Sequence, residues 1–143
     1  MTEQRICVAR DVAQLPALTR FLKEFWSAAG LPPADLMKFE LALEEVFMNV
    51  VMHGSPGAGT RIDVSVILCD GGLTLTVEDD GPAFDPLLLP VPNVAASLEE
   101  RKVGGLGVFL VRQMMDAVRY QRVAARNQLR MTKRLTEGGA PGV

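Results

Sequence analysis

Histidine, cysteine and large aromatic residues are scarce here: the 143-residue chain has one His, two Cys, one Trp and one Tyr. Each shortage excludes a chemistry. With His53 the lone histidine and Cys7 and Cys69 far apart, no multi-cysteine zinc site, di-histidine metal site or disulfide framework is expected. Both thiols read as reduced core residues. A hydrolase triad would have to use His53, which lies inside a helical pattern, and no G-x-S-x-G elbow accompanies it, so nucleophilic hydrolysis is not expected. No apolar run approaches the ~18 residues that would span a bilayer, so no membrane partner is expected. The opening MTEQRICVARD carries charge where a signal peptide would need its apolar stretch, which makes the cytoplasm the expected location.

A composition of 48% hydrophobic and 22% charged residues suits a single soluble domain over residues 1–143, with its core at about 5–135. The net charge of -2 conceals an asymmetry. Nine basic residues fall between Arg101 and Arg134, against one acid, Asp116. Such a split can mark a nucleic-acid binder, but Phe109 and Tyr120 are the only rings in that stretch, too few for a stacking surface. No direct nucleic-acid partner is expected. Solvated faces, a polyphosphate site or an acidic partner would all use this positive potential.

Periodicity orders the elements. QRICVA at 4–9 reads as a short strand, and Leu15, Leu18, Leu22, Phe25 and Ala29 stand at helical spacing before Gly30. A second helix starts at Pro32-Pro33, and Leu36, Phe39, Leu43, Val46, Phe47 and Val50 form its apolar stripe, which ends near Gly54. Ile62, Val64, Val66 and Leu68 alternate as a strand, Asp70-Gly71-Gly72 signals a hairpin, and Leu73, Leu75 and Val77 continue on the return. Four prolines crowd the first half of 81–103, which therefore reads as a lid of about 82–103 with a turn or two of helix over 95–101. A helix over 105–116 and two β stretches within 118–135 follow, with Arg126-Asn127 at or near their turn; the tail 137–143 reads as frayed. The order β-α-α-β-β-lid-α-β-β gives a two-layer α/β (α+β) sandwich, with helices on one face of a mostly antiparallel mixed sheet.

Three constellations carry chemistry. On the second helix Glu45, Asn49 and His53 follow at i, i+4 and i+8 and share one stripe. That stripe runs between the core arc and a second apolar arc of Met37, Leu41, Met48 and Met52, as a cleft margin would. Helical phase does not separate Glu45 from Glu40 or Glu44. The Asn49 amide oxygen is a hard ligand that suits Mg²⁺. At the end of the hairpin, Asp79 continues the inward row of Leu73, Leu75 and Val77, and an inward carboxylate needs a partner. A buried arginine or a backbone cap would serve; so would the exocyclic amine of adenine, with Gly81 and Ala83 lacking bulk so that the base approaches the backbone. Asp80 is out of phase and reads as solvated. Third, Gly104-Gly105-Leu106-Gly107 opens a helix, where backbone amides and the helix field suit a triphosphate. A glycine hinge between lid and helix is the bland alternative.

Taken together, E-x-x-x-N on a helix, D-x-G-x-A at a strand end and G-G-x-G before a helix resemble the N, G1 and G2 boxes of the GHKL ATPases. The wording LALEEVFMNVVMHG, VEDDGPAFDP and LEERKVGGLGVFLVRQMMDAVRY is most similar to the bacterial anti-sigma-factor serine kinases, over roughly residues 5–135. The resemblance implies the Bergerat ATP-binding fold, adenine against Asp79, Mg²⁺ at Asn49, His53 beside them in the N box, and the Gly104, Gly105, Leu106 and Gly107 amides around the triphosphate. It implies that Glu45 is the general base, and that Arg101 or Lys102 reaches the phosphates from the lid. Ala83 stands where many relatives have glycine. The implied function is an Mg·ATP-dependent protein serine/threonine kinase that phosphorylates a small antagonist protein. A sigma factor or other regulator held by sequestration, and a homodimer, are implied with it. The alternative is an ATP-dependent regulatory binding module with little or no phosphotransfer.

Overall fold

The structure is a computed structural model that describes residues 1–53, 61–89 and 106–136. It contains β1 (Thr2–Ala9), α1 (Leu15–Ala28), α2 (Pro33–His53), β2 (Arg61–Cys69), β3 (Gly72–Asp79), α3 (Leu106–Met114), β4 (Ala117–Val123) and β5 (Arg126–Arg134). The five strands form one sheet in the order β1-β2-β3-β5-β4, and every adjacent pair is antiparallel, where the sequence had allowed a mixed sheet. β1 and β4 are therefore the edges.

Alternation sets the two faces. Val8, Ile62, Val64, Val66, Leu73, Leu75, Val77, Leu129 and Met131 are buried on one side of the sheet, against Leu18, Leu22, Phe25 and Trp26 of α1 and Phe39, Leu43, Val46 and Phe47 of α2. Each spacing matches a single helical face turned to the core. Trp26 adds a tether at the α1–α2 corner: its ring lies 5.5 Å from that of Phe39, and its Nε1 donates to Pro32 O at 2.8 Å. Where the sequence predicts a helix from Val12, the chain first makes a 3-10 turn over Val12–Gln14, capped by Asp11, whose carboxylate accepts from Ala13 N. The first turn of α2 carries a fully buried carboxylate, Asp35, held by Thr136 N at 2.5 Å and Thr136 Oγ1 at 3.1 Å. This pair ties the end of β5 to the start of α2 across the domain.

Two tight hairpins fix register. Asp70 and Gly71, at φ 53° and 77°, join β2 to β3, the paired positive φ of a two-residue hairpin turn. The β4–β5 turn is Ala124-Ala125, at φ 52° and 63°, two residues before Arg126-Asn127, which the sequence placed at or near it. Both cysteines are free and exposed rather than in the core. Cys7 lies on the outer face of edge strand β1, where its Sγ accepts from Arg61 at 3.2 and 3.3 Å, and Cys69 ends β2.

Candidate functional site

α2 crosses the sheet so that its C-terminal half stands over the end of β3, which brings Asn49 and His53 of the first constellation and Asp79 of the second to one pocket. Asn49, His53 and Asp79 line a cavity of about 30 Å³ whose apolar wall includes Val46, Val50, Val77 and Leu129. Asp79 is 8% exposed. Its Oδ2 accepts from Gly81 N at 3.0 Å and from Asn127 Nδ2 at 3.1 Å, while Oδ1 has no hydrogen bond from the described residues. The backbone cap is thus present, on a residue that also lines the pocket. A buried carboxylate on a pocket wall, with hydrogen bonds to one of its two oxygens, fits a ligand amine.

Asn127 is the residue that sequence reasoning missed. It is 6% exposed and pairs with Asp79 across β3 and β5. Its Nδ2 also donates to Pro82 O at 2.8 Å, and its Oδ1 accepts from Tyr120 Oη at 2.5 Å, Arg122 Nη1 at 3.0 Å and Phe84 N at 3.2 Å. Arg122 Nη1 donates further to Gly81 O at 2.8 Å. One amide therefore fixes the Asp79 carboxylate and staples the 81–84 loop to β4 and β5. The sequence signal was only a polar residue in the inward phase of an otherwise apolar row, with Leu129 and Met131.

The 81–84 loop differs from expectation at Ala83. Gly81 is buried with its amide on Asp79, but Ala83 is exposed, and Pro82 and Phe84 line the pocket in its place. The Phe84 ring stacks on His53, centroids 4.4 Å apart and planes 19° from parallel. Phe84 thus forms part of the pocket wall together with His53.

The structure separates Glu45 from Glu44, which helical phase left equivalent. Glu44 is exposed, whereas Glu45 is half-buried and turned toward the first turn of α3. There Gly107 leaves the space that the Glu45 carboxylate fills; a β-carbon at 107 would overlap Oε2. Burial raises the Glu45 pKa above the ordinary carboxylate value, and the neighbouring Glu44 charge adds to the rise. The carboxylate thus sits at the positive pole of a helix, the place suited to an anion. Arg101, Lys102, Gly104 and Gly105 lie outside the described residues, as does the lid from residue 90 on; Leu106 and Gly107 begin α3.

Comparison with known proteins decides the family, because the model of the histidine kinase-like ATPase domain matches residues 8–133. The chain belongs to that family. The serine/threonine-protein kinase BtrW of Bordetella bronchiseptica is 32% identical over 114 residues, covering 78% of this chain and 75% of that one. The serine-protein kinase RsbW of Listeria monocytogenes is 28% identical over 118 residues, covering 74% and 75%. Among solved structures, the RsbU and RsbW domains of Rv1364c from Mycobacterium tuberculosis superpose with a TM-score of 0.68 at 18% identity, over 94% of this chain and 33% of that one. The histidine kinase AdeS of Acinetobacter baumannii gives 0.50 at 14% identity, over 92% and 68%. The structural likenesses establish the fold of this histidine kinase-like ATPase domain, and the sequence likenesses make it a homologue of the anti-sigma-factor serine kinases. No helix of the described residues is long and apolar enough to cross a membrane.

Proposed function

We propose that this histidine kinase-like ATPase domain is an Mg·ATP-dependent protein serine/threonine kinase that phosphorylates a small antagonist protein and holds a sigma factor or similar regulator by sequestration. The observation that carries the reading is the placement of Glu45: a half-buried carboxylate of raised pKa against α3, one helical turn before Asn49. A base whose pKa moves from the carboxylate range toward neutrality is better matched to taking a proton from a hydroxyl. The donor set suits the cofactors. Asp79 Oδ1 would accept from the adenine amine, and one amide oxygen from Asn49 is a sufficient protein contribution, because Mg²⁺ takes one or two protein ligands beside the phosphates of its nucleotide. Bound Mg·ATP supplies the phosphoryl group and neutralises its charge during transfer. Arg101 or Lys102, and the Gly104 to Gly107 amides, are assigned to the phosphates on the strength of the resemblance.

The second reading, an ATP-dependent regulatory module with little transfer, is favoured by the His53–Phe84 stack, since a nucleotide that displaces Phe84 must also move the loop leading into the lid. One experiment separates the two. Calorimetry with Mg·ATP on wild type, Asn49→Ala, Asp79→Asn and Glu45→Ala is followed by tracing labelled γ-phosphate into proteins of the source cell. The kinase reading expects weaker binding in the first two variants, intact binding in Glu45→Ala, and label on a serine or threonine of one small protein that Glu45→Ala fails to deliver. Binding without transfer selects the regulatory module, and no ATP binding by the wild type defeats both.

A further inference from the structure

The basic C-terminal stretch divides in the fold into residues with partners and residues without. Arg122 holds Gly81 O and Asn127; Arg126 pairs with Asp63 at 2.5 Å and Glu78 at 3.4 Å; Arg134 reaches Asp70 O at 3.3 Å. Arg119 and Arg130 differ. They stand directly opposite each other on β4 and β5, exposed on the sheet face that no helix covers, and among the described residues neither has an ion pair or a side-chain hydrogen bond. Like charges at directly opposed positions destabilise a sheet. Edge protection would account for Arg119, because β4 is an edge strand and a charge there discourages pairing with other chains. It does not account for Arg130, which lies on the interior strand β5.

The same cross-strand row continues through Thr76 and Ser65 to Arg5 on the other edge strand. It is thus a file of three guanidinium groups separated by two small hydroxyl residues; on the same face Asp63 and Glu78 are already engaged by Arg126, and Glu3 flanks Arg5 at the far end on β1. A groove of about 350 Å³ follows Arg119 and Arg130, with Gln121 and Gln128 bonded to each other along its side. Guanidinium forks match carboxylates two bonds at a time. The single ring lining the groove, Tyr120, has its hydroxyl held by Asn127 on the opposite face, so no base-stacking platform is offered.

From this juxtaposition we infer that the uncovered sheet face, centred on Arg119 and Arg130, docks an acidic segment of a protein partner. The inference is independent of the nucleotide reading, because neither Arg119 nor Arg130 lines the Asp79 pocket. The test uses fluorescence anisotropy of labelled hexaglutamate at low salt, on wild type, on Arg119→Gln with Arg130→Gln, and on Arg20→Gln with Lys23→Gln, which makes the same charge change on α1. Binding that falls with added salt, weakens at least about tenfold in the sheet variant and is retained in the α1 variant supports the proposal. Failure of the wild type to bind hexaglutamate, or equal loss in both variants, overturns it. Tighter capture of single-stranded DNA through the same arginines overturns it in favour of a nucleic acid. Two further measurements guard the interpretation. A melting temperature equal to or above that of wild type in the sheet variant fits a pair kept for a ligand, whereas a marked drop would make the pair structural. Loss of a wild-type dimer in sedimentation would instead make this face a contact between two copies of the chain.

Discussion

Replacing Gly107 with alanine should separate stability from chemistry. Gly→Ala at a backbone conformation that alanine tolerates stabilises a protein by about 0.4–1 kcal/mol, chiefly by restricting the unfolded chain. Gly107 is such a position: it lies in the first turn of α3 and its φ is outside the left-handed region. The added methyl, however, falls on the Glu45 carboxylate and stands 3.2 Å from its Cγ. Glu45 reaches α3 on a flexible side chain, so the overlap is relieved when its carboxylate swings away, at about 0.5–1.5 kcal/mol if the new rotamer is strained. The two effects oppose each other at similar size, and the melting temperature should move by no more than about 3 °C for a domain of this length. Chemistry has no such balance. A positioned general base contributes about 10²–10⁴-fold, so single-turnover transfer of the γ-phosphoryl group should fall at least about tenfold, while calorimetry finds ATP affinity little changed. Transfer at the wild-type rate with unchanged affinity would refute the idea that Gly107 places Glu45. A melting temperature lowered by many degrees would mean that the backbone, not the side chain, gives way.

Three other expectations follow from the same geometry. Asn127→Ala removes the acceptor of Tyr120, Arg122 and Phe84 and one of the donors to Asp79; with several part-buried groups left unmatched it should destabilise by about 2–3 kcal/mol in a urea titration and weaken ATP binding. Because Glu45 acts as a base only when ionised and its pKa is raised, phosphotransfer should fall as the pH drops through a value above the ordinary carboxylate range; Glu44→Gln removes the smaller cause of the rise, so the acid limb of the pH–rate profile should shift to lower pH without reaching that of a free carboxylate. Changing Ala124 to Asn and Ala125 to Gly gives the β4–β5 turn residues that tolerate its two positive φ angles and should stabilise by about 1–2 kcal/mol, read as a higher urea midpoint at unchanged slope.

Elements whose signal is local were legible in the chain. The α2 stripe, the Asp70-Gly71 turn and the alternation of β2 and β3 are set by neighbours within a few residues, and each lies within a residue or two of its expected bounds. Asp79 was legible for the same reason, as the last member of an inward row. Asn127 was not, since its partners Asp79, Pro82 and Phe84 lie 48, 45 and 43 residues away and are brought to it only by the β3–β5 register. The difference between Glu44 and Glu45 likewise needed α3, because an isolated helix presents both to solvent. The cysteines were misplaced because an apolar preference says nothing about which face or end of a strand a residue occupies: Cys7 follows Ile6 and precedes Val8, both turned inward, so its own side chain points out, and Cys69 follows the inward Leu68 at the end of β2.

The ring stack of Phe84 on His53 has a consequence for how much nucleotide such a site would need. If a purine takes the place of the Phe84 ring, only molecules whose Phe84 has left His53 admit it, and the apparent affinity is the intrinsic one multiplied by the open fraction. Each ~1.4 kcal/mol favouring the stacked arrangement raises the apparent dissociation constant tenfold. On the proposed reading, substitution at position 84 would then retune the apparent ATP affinity through a ring contact, while leaving the choice of base untouched.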